Sequence, residues 1–360
     1  MLGVQGAGFF APSYGTQPID LADFGITRAG DLTDLDVIGI PVWFACRPNS
    51  RSLSQSQGKG ETDEAARISA IMEAMEQHFA ENAYRLDGCR QGSYAQVERG
   101  AIQPMNLQLA AGCSFSRFDI HRRRVWCKGK SLIAGADVLA PYELVGLDFR
   151  VDAGWDRNAF QNSTTGLGAG ATAEDAILHG LLEVVESNAT VLADALGPLH
   201  SLMTSVAYRP GDDEKLDSLV DQICRAGLQV RFKRLDAPAG LPVLGAFLSP
   251  AGPVCAGEPA GTFAGYACRL SPAAAARAAL LEAVQSRLTD IAGARDDIDP
   301  ADYEKVSSAG FDHAREDEIS VLDGEDHWHG CAGLSSAEIL PQLVDALVAH
   351  GVDDICWFDL

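Results

Sequence analysis

The stretch that decides the fold is GKGETDEAARISAIMEAMEQ, which runs from Gly58 to Gln77. Its apolar residues recur at helical spacing after a glycine-rich turn, and they predict an amphipathic helix capped by Thr62. Ser69, Glu73 and Glu76 lie on one face of that helix, because residues spaced by three, four and seven lie above one another. Carboxylates set among apolar side chains must be paired, protonated or metal-bound, so this face predicts a functional site.

A second segment, GLGAGATAEDAILHGLLEVVESNA, repeats this pattern without gaps from Gly166 to Ala189. When Thr172 is aligned with the first cap, glutamates recur at the same two positions, Glu183 at +11 and Glu186 at +14 from the cap. His179 takes the +7 position, where the first segment has its serine. The match predicts a second helix with polar groups at the same depth. For His179, ordinary packing and a contact with phosphate or water both remain open.

A third copy, GYACRLSPAAAARAALLEAVQSRLTDIAGARDD, begins at Gly265. Its cap is Ser271, followed by a proline at the first helical position, where the missing N–H costs little. Glu282 then falls at +11 and Gln285 at +14. A spacing of roughly 100 residues between caps is too long for a solenoid repeat. It indicates duplicated subdomains packed around a shared centre.

The fold class predicted from this repetition is α+β. An N-terminal segment, residues 1–50, is expected to precede one domain at residues 51–360. Within that domain, pseudo-repeated α/β subdomains should surround a shared centre. Their helix motifs lie near residues 58–77, 166–189 and 265–297.

The overall composition narrows the classes of function. The chain has 360 residues and a formal net charge of −22, which argues against nucleic-acid and anionic-membrane binding. No uninterrupted apolar run reaches the ~18 residues typical of a membrane helix. The nine cysteines are an odd number and form no C-x-x-C motif. This usage indicates reduced thiols and a cytoplasmic protein.

The acidic helix faces suggest a specific ligand. Mg²⁺ takes oxygen ligands and commonly binds substrate phosphates with only a few carboxylates, so the paired glutamates fit Mg²⁺ on a triphosphate. Lys59, Arg287 and Arg295 are candidate partners for the phosphate oxygens, together with backbone N–H groups at the helix starts. The turn QGKGET does not match the P-loop pattern.

Three motif groups together resemble the YcaO family over roughly residues 50 to 357. They are GKGET followed by S-x-x-x-E-x-x-E, NSTTGLGAGAT followed by E-x-x-E, and EAVQSR followed by GARDD. The resemblance implies an enzyme that uses ATP and Mg²⁺ to activate a peptide backbone amide. The amide oxygen attacks the γ-phosphate and becomes a good leaving group. Attack by a neighbouring side chain then forms an azoline, whereas attack by sulfide forms a thioamide.

The resemblance also assigns roles to residues. The expected catalytic metal ligands are Glu73, Glu76, Glu183 and Glu186. The expected contacts with nucleotide or phosphate are Lys59, Ser69, Asn162, Ser163, His179, Glu282, Gln285, Arg287 and Arg295.

Departures from the family pattern leave alternatives open. Many members carry arginine where this chain has Gln77 and Ser187, which weakens any phosphate role at those positions. No adaptor domain precedes the motifs, so a separate partner protein is expected to present the peptide or protein substrate. The segment LTDIAGARDD resembles members that act with a TfuA-like protein, which favours thioamide formation. An azoline-forming cyclodehydratase and a non-catalytic ATP-binding scaffold remain as alternative functions. A homodimer remains possible as the oligomeric state.

Overall fold

The computed structural model describes residues 20–83, 88–98, 100–102, 118–152, 156, 159–160, 162–196, 203–253, 261–293, 320–322 and 328–360. Its strands are β1 (Arg28–Asp31), β2 (Val42–Cys46), β3 (Gln55–Lys59), β4 (Arg90–Gly92), β5 (Arg124–Ser131), β6 (Asp137–Pro141), β7 (Met203–Val206), β8 (Leu228–Leu235), β9 (Val243–Pro250), β10 (Phe263–Cys268) and β11 (Cys356–Trp357). Its α-helices are α1 (Asp63–Asn82), α2 (Tyr94–Val97), α3 (Tyr142–Val145), α4 (Ala173–Leu196), α5 (Glu214–Arg225), α6 (Pro272–Ala292) and α7 (Ser336–Ala349). Short 3₁₀ helices lie at Leu21–Phe24, Thr33–Leu35, Pro238–Gly240 and His329–Cys331. Mixed helices and sheets confirm the predicted α+β class.

The first subdomain is a three-stranded antiparallel sheet, ordered β1-β2-β3, with α1 packed against it. Val42 pairs with Lys59 and Cys46 with Gln55, so β2 and β3 form a hairpin across residue 50. The expected boundary at residue 50 therefore falls inside this sheet, and the described part of the N-terminal segment belongs to the first subdomain.

The largest sheet is antiparallel, ordered β10-β9-β8-β7. Seven of the eight residues of β9 are buried, as expected for a strand covered on both faces. Leu244 packs in the core shared with α5 and α6. Its neighbour Val243 packs in the core shared with α4 and α7. Because side chains alternate along a strand, this sheet lies between the two helix pairs.

A third sheet has the order β11-β5-β4, and β6 also pairs with β5. Trp126 on β5 is fully buried, and its indole Nε1 donates to the carbonyl of Gly92 at 2.9 Å. Cys356 in β11 pairs with Ser131, so residues far apart in sequence meet in this sheet.

The predicted helix caps are present in all three copies. The hydroxyls of Thr62, Thr172 and Ser271 accept backbone N–H bonds three residues further on, at 3.2, 3.1 and 3.3 Å. In α4, Asp175 returns a bond to the N–H of Thr172 at 3.1 Å, which completes a capping box. The three helices therefore begin alike, as the sequence pattern predicts.

Helix α4 is the one helix among the described residues that is long and apolar enough, by length and composition, to cross a membrane. Of its most apolar window, 39% is buried inside the structure. Its apolar face packs on the largest sheet through Leu178, Leu182 and Val185. Core helices of globular proteins pass the same test, so this finding is weak evidence for a membrane span.

Candidate active site

Two glycines confirm that the first two copies align without gaps. A Cβ atom on Gly58 would lie 2.0 Å from the backbone nitrogen of Ala70. A Cβ atom on Gly168 would lie 2.5 Å from the carbonyl oxygen of Ala176. Both glycines stand four residues before the cap, and at both the chain passes directly against the helix that follows. Only glycine permits this approach, so its recurrence reflects the same local packing.

The copies also contact one another in a fixed order. The residue three positions before the second cap, Ala169, gives a backbone hydrogen bond to Glu76, at +14 in the first copy. The residue three positions before the third cap, Cys268, donates its N–H to Glu186 at 3.1 Å, and Glu186 is at +14 in the second copy. In both cases the backbone three residues before a helix cap is hydrogen-bonded to the +14 carboxylate of the preceding copy.

The third copy contacts the first, so the three copies form a ring. Here the contacts are an ion pair and a side-chain amide hydrogen bond. Lys59, three residues before the first cap, places its Nζ 3.0 Å from the Oε2 of Glu282. Gln285, at +14 in the third copy, donates its Nε2 to the carbonyl of Gln57 at 3.3 Å. We define each junction by the +11 and +14 residues of one copy and the residue three before the next cap. The first junction has Glu73, Glu76 and Ala169. The second junction has Glu183, Glu186 and Cys268. The third junction has Glu282, Gln285 and Lys59.

The carboxylates of this ring are electrostatically strained. Burial raises the pKa of Glu183 to about 8, and the negative charges of Glu186, Glu76 and Glu282 add to the rise, against a hydrogen bond from the Gly166 N–H. Burial likewise raises the pKa of Glu76 and of Glu186 to about 7. Acids from all three helices thus lie close enough for their charges to act on the carboxyl of Glu183. Concentrated negative charge of this kind is a place for cations.

Positive groups line the same space. Partial burial, and then the charges of Arg269 and Lys59, lower the pKa of His179, so this imidazole is neutral at neutral pH. Arg269 and Lys59 also oppose the rise in the pKa of Glu186. The structure thus brings the predicted Lys59, His179, Glu183, Glu186 and Glu282 into one electrostatic neighbourhood.

Ser69 and Glu73 are half-buried on α1, two turns and one turn before Glu76. This agrees with their predicted position on the acidic face of the helix. Their contacts with a nucleotide or metal remain predictions.

The loop before α4 is held by its own hydrogen bonds. Asn162 donates its Nδ2 to the carbonyls of Glu143 and Gly146 at 3.1 and 2.8 Å. Its buried Oδ1 has no partner within the described part of the chain. The Ser163 hydroxyl lies 2.8 Å from that of Thr165. Nucleotide contacts at Asn162 and Ser163 stay predictions, and at Asn162 the oxygen is the atom left for one.

Arg287, a predicted phosphate contact, forms an ion pair within the described residues. Its Nε and Nη2 donate to the carboxylate of Asp36 at 2.8 and 3.1 Å, and both side chains are buried. This ion pair joins α6 to the segment after the 3₁₀ helix Thr33–Leu35. The structure therefore gives Arg287 a packing role, and its contact with phosphate stays a prediction. Arg295 lies outside the described residues.

Arg269 is the residue that sequence reasoning missed. It stands two residues before the third cap, where the other copies have Gly60 and Gly170. Its Nη1 donates to the carbonyl of Cys268 at 2.7 Å, and its charge acts on Glu186 and His179. The alignment of the three copies could have revealed it, because an arginine takes the position where the other two copies have glycine.

Residues 57–360 match the profile of the YcaO cyclodehydratase family, described as ATP- and Mg²⁺-binding. The chain belongs to the YcaO family. The family description agrees with the predicted cofactors, ATP and Mg²⁺. The match covers all three copies of the helix motif.

Relatives of this YcaO chain include a protein of Rhizobium leguminosarum bv. trifolii described as uncharacterised and lying in the tfuA 3′ region. It is 35% identical over 353 residues, which cover 93% of this chain and 79% of the relative. A YcaO structure from Methanopyrus kandleri, bound with AMPPCP and Mg²⁺, has a TM-score of 0.69 at 22% identity, covering 94% of this chain and 82% of the other. The Escherichia coli microcin synthetase McbBCD complex with pro-MccB17 bound contains a chain with a TM-score of 0.57 at 14% identity, covering 88% and 81%. The two structures show that the fold is shared.

The residues of this YcaO ring fit Mg²⁺ with a nucleotide. Within the described ranges, no three His, Cys, Asp or Glu side chains converge tightly enough to hold a metal alone. The first and second junctions instead offer pairs of carboxylates, and in the third Gln285 adds a buried Oε1 with no partner among the described residues. Mg²⁺ prefers such oxygen donors and completes its shell with phosphate oxygens and water. The donor set therefore suits metal ions shared between protein and phosphate.

Proposed function

We propose that this chain uses Mg²⁺ and ATP to phosphorylate the oxygen of a backbone amide in a peptide or protein, and that sulfide then converts this amide to a thioamide. The observation that carries the proposal is the ring of glutamates from three helices. Burial raises the pKa of Glu76, Glu183 and Glu186, and neighbouring carboxylates add to the rise at Glu183 and Glu186. Carboxylates gathered in one place at such a cost in stability have a clear use in binding cations.

The chain's residues would divide the work by charge. Glu73, Glu76, Glu183 and Glu186 would hold Mg²⁺, which neutralises the charge that develops on the transferring phosphoryl group. Arg269 would contact phosphate oxygens directly, and Lys59 would add positive charge to the same space from its pair with Glu282. Catalysis then consists of positioning the amide oxygen in line with the γ-phosphate, since the protein supplies no covalent step.

The reaction balances without a further co-reactant. The amide oxygen takes the γ-phosphoryl group and releases ADP. Hydrosulfide adds to the amide carbon, the carbon–oxygen bond breaks, and phosphate leaves with the original amide oxygen and the hydrosulfide proton. His179, neutral at neutral pH, can receive that proton in transit.

The thioamide product is favoured over an azoline by two observations. The segment LTDIAGARDD resembles members that act with a TfuA-like protein, and a 35% identical relative lies in a tfuA 3′ region. The family description as cyclodehydratases supports the azoline alternative. Product mass separates them, because a thioamide exchanges one oxygen for one sulfur and an azoline loses one water.

A scaffold function without catalysis is the remaining alternative. Its sequence support is the absence of arginine at Ser187 and Gln77. Gln77 is buried, and its Oε1 accepts from the Ser52 hydroxyl at 3.4 Å. This position therefore serves packing and says nothing against an active nucleotide site.

We further propose that a separate protein presents the substrate in the cytoplasm. The related chain in the McbBCD complex belongs to a multiprotein assembly with a peptide bound. All seven cysteines within the described residues are free thiols, which suits a reducing compartment.

The test has two arms. In the first, AMPPCP with Mg²⁺ should raise the Tm of the purified chain, whereas AMPPCP with EDTA should not. In the second, the chain is incubated with ATP, Mg²⁺, sodium sulfide and the products of its neighbouring genes, and peptide masses are read. Oxygen-to-sulfur exchange supports the proposal. Loss of water instead supports the azoline alternative, and nucleotide binding without any peptide change supports the scaffold.

A further inference from the structure

We propose that Lys59 is the resident cation of the third junction and that it takes the place of a metal ion there. This inference rests on the proposed function. In the first and second junctions the acidic pair faces an uncharged residue, Ala169 or Cys268. In the third junction Gln285 stands where the other copies have a second glutamate, and the facing residue is Lys59.

Charge balance gives the same result. The first and second junctions each contribute two carboxylates, and the residue at the facing position is uncharged in both. At the second junction the charge of Arg269, next to Cys268, acts on Glu186 from outside that position. The third junction contributes one carboxylate, Glu282, whose Oε2 lies 3.0 Å from the Lys59 ammonium. Both side chains are half-buried, so the pair is neutral within itself and has less need of a divalent ion.

The carboxamide of Gln285 is oriented by the same exchange. Its Nε2 donates to the carbonyl of Gln57, which lies on β3, the strand that leads into α1. A glutamate at this position could not donate, and its charge would face that carbonyl oxygen. The two residues therefore act together. Gln285 leaves the junction with one carboxylate fewer, and Lys59 neutralises the carboxylate that remains, Glu282.

The experiment counts divalent ions in the presence of AMPPCP, using Mn²⁺ and electron paramagnetic resonance. The wild-type chain should bind two ions, as in two-metal phosphoryl-transfer sites. The double variant Lys59→Met, Gln285→Glu recreates the acidic pair and removes the cation, so it should bind one more ion than wild type. The single variants keep one neutralising feature each and should match wild type.

Each result has a distinct meaning. A third ion in wild type, or in Gln285→Glu alone, would show that Lys59 does not exclude metal. An unchanged count in a folded double variant, checked by its Tm, would also overturn the inference. A wild-type chain that binds no Mn²⁺ with AMPPCP would instead contradict the proposed function itself.

A second, independent observation concerns two cysteines far from this chemistry. We infer that Cys89 and Cys127 form an oxidisable dithiol. Arg90 pairs with Trp126 in the antiparallel β4–β5 ladder, so Cys89 and Cys127 lie opposite one another at its end. Their sulfurs are 3.5 Å apart. A Cβ on Gly88 would lie 3.3 Å from the Cβ of Lys128, which shows that the strands stay adjacent one residue further.

The geometry suits a disulfide more than a chance contact. Opposite residues in an antiparallel pair place their Cβ atoms about 4.5 to 5.5 Å apart, close to the separation that a disulfide spans. Cys127 is buried, whereas Cys89 is partly exposed and is the thiol that an oxidant reaches first. Hydrogen peroxide oxidises the Cys89 thiol to a sulfenic acid and is itself reduced to one water. Cys127 then attacks that sulfur and expels a second water.

The test treats the folded chain with hydrogen peroxide and maps its peptides without reduction. A Cys89–Cys127 cross-link, with the loss of two hydrogens, is expected. It should vanish in Cys89→Ser and persist in Cys224→Ser, a control at an exposed cysteine. Recovery of both thiols unchanged, or of Cys89 only as a sulfinic acid, would overturn the inference.

Discussion

The second junction and the pair Arg287–Asp36 both bury charge, but they treat it in opposite ways. Glu183 and Glu186 repel one another, and their pKa values are raised. Arg287 and Asp36 neutralise one another through two hydrogen bonds, although the buried Arg287 Nη1 has no hydrogen-bond partner among the described residues. Charges of the first kind cost stability and remain available for a ligand. Charges of the second kind neutralise one another and support packing. Substitutions should therefore separate activity from stability in the two places.

The largest effect is expected at Glu183. Glu183→Gln should lower ATP turnover at least about 100-fold, since metal ions are worth several kcal/mol in phosphoryl transfer. It should also raise the Tm of the metal-free chain, because the repulsion with Glu186 is removed. Turnover and Tm are measured beside Glu174→Gln, an exposed acid on the same helix. Full turnover in Glu183→Gln would remove Glu183 from the site.

The opposite outcome is expected for Asp36. Asp36→Asn leaves the buried Arg287 without its counter-charge and should lower the free energy of unfolding by about 3–5 kcal/mol. Turnover per folded molecule should stay close to that of wild type. Urea unfolding measures the change, with exposed Asp34→Asn as the matched control. A stable variant with a raised KM for ATP would instead return Arg287 to its predicted phosphate role.

A packing substitution tests the equivalence of the first two copies. Gly58→Ala and Gly168→Ala should each destabilise by about 1–3 kcal/mol, since the new methyl meets backbone at 2.0 and 2.5 Å. Gly252→Ala is the control, because nothing lies within 4 Å of its added Cβ. Unequal losses would show that the two copies pack differently, and no loss in either would contradict the close approach.

The pH dependence of stability distinguishes the ring from an ordinary acidic surface. Raised carboxyl pKa values mean that, above the ordinary value of 4.5, the folded chain holds protons that the unfolded chain has released. Stability in EDTA should therefore fall as the pH rises from about 5 to about 8, by several degrees of Tm. Glu183→Gln should flatten this slope, and Mg²⁺ with AMPPCP should offset it. A Tm that rises across this interval would contradict the shared burial of the acids.

The smallest effect is expected at the helix starts. Thr62→Ala and Ser271→Ala each remove one capping hydrogen bond and should cost about 1 kcal/mol. Thr62→Ser keeps the hydroxyl and should stay close to wild type in urea unfolding. Equal losses in the alanine and serine variants would mean that the cap bond is not what stabilises the start of α1.

Much of the architecture could be predicted because it is local. The caps, the three helices and the recurrent +11 and +14 positions follow from patterns within about 20 residues. The sheet order could not, because β1 and β2 join the first copy across the expected boundary at residue 50. Antiparallel pairing between separated strands depends on contacts that no local pattern encodes.

The candidate site also has a part that follows from local sequence and a part that depends on long-range contacts. The sequence by itself determined which residues are acidic at matching helical depth, since helix geometry places them on one face. Only the tertiary structure decided which charges meet: Lys59 with Glu282, Arg287 with Asp36, and Arg269 beside Glu186. These partners are separated by tens to hundreds of residues. The energy of a buried charge depends on its neighbours in space, and the fold alone chooses those neighbours.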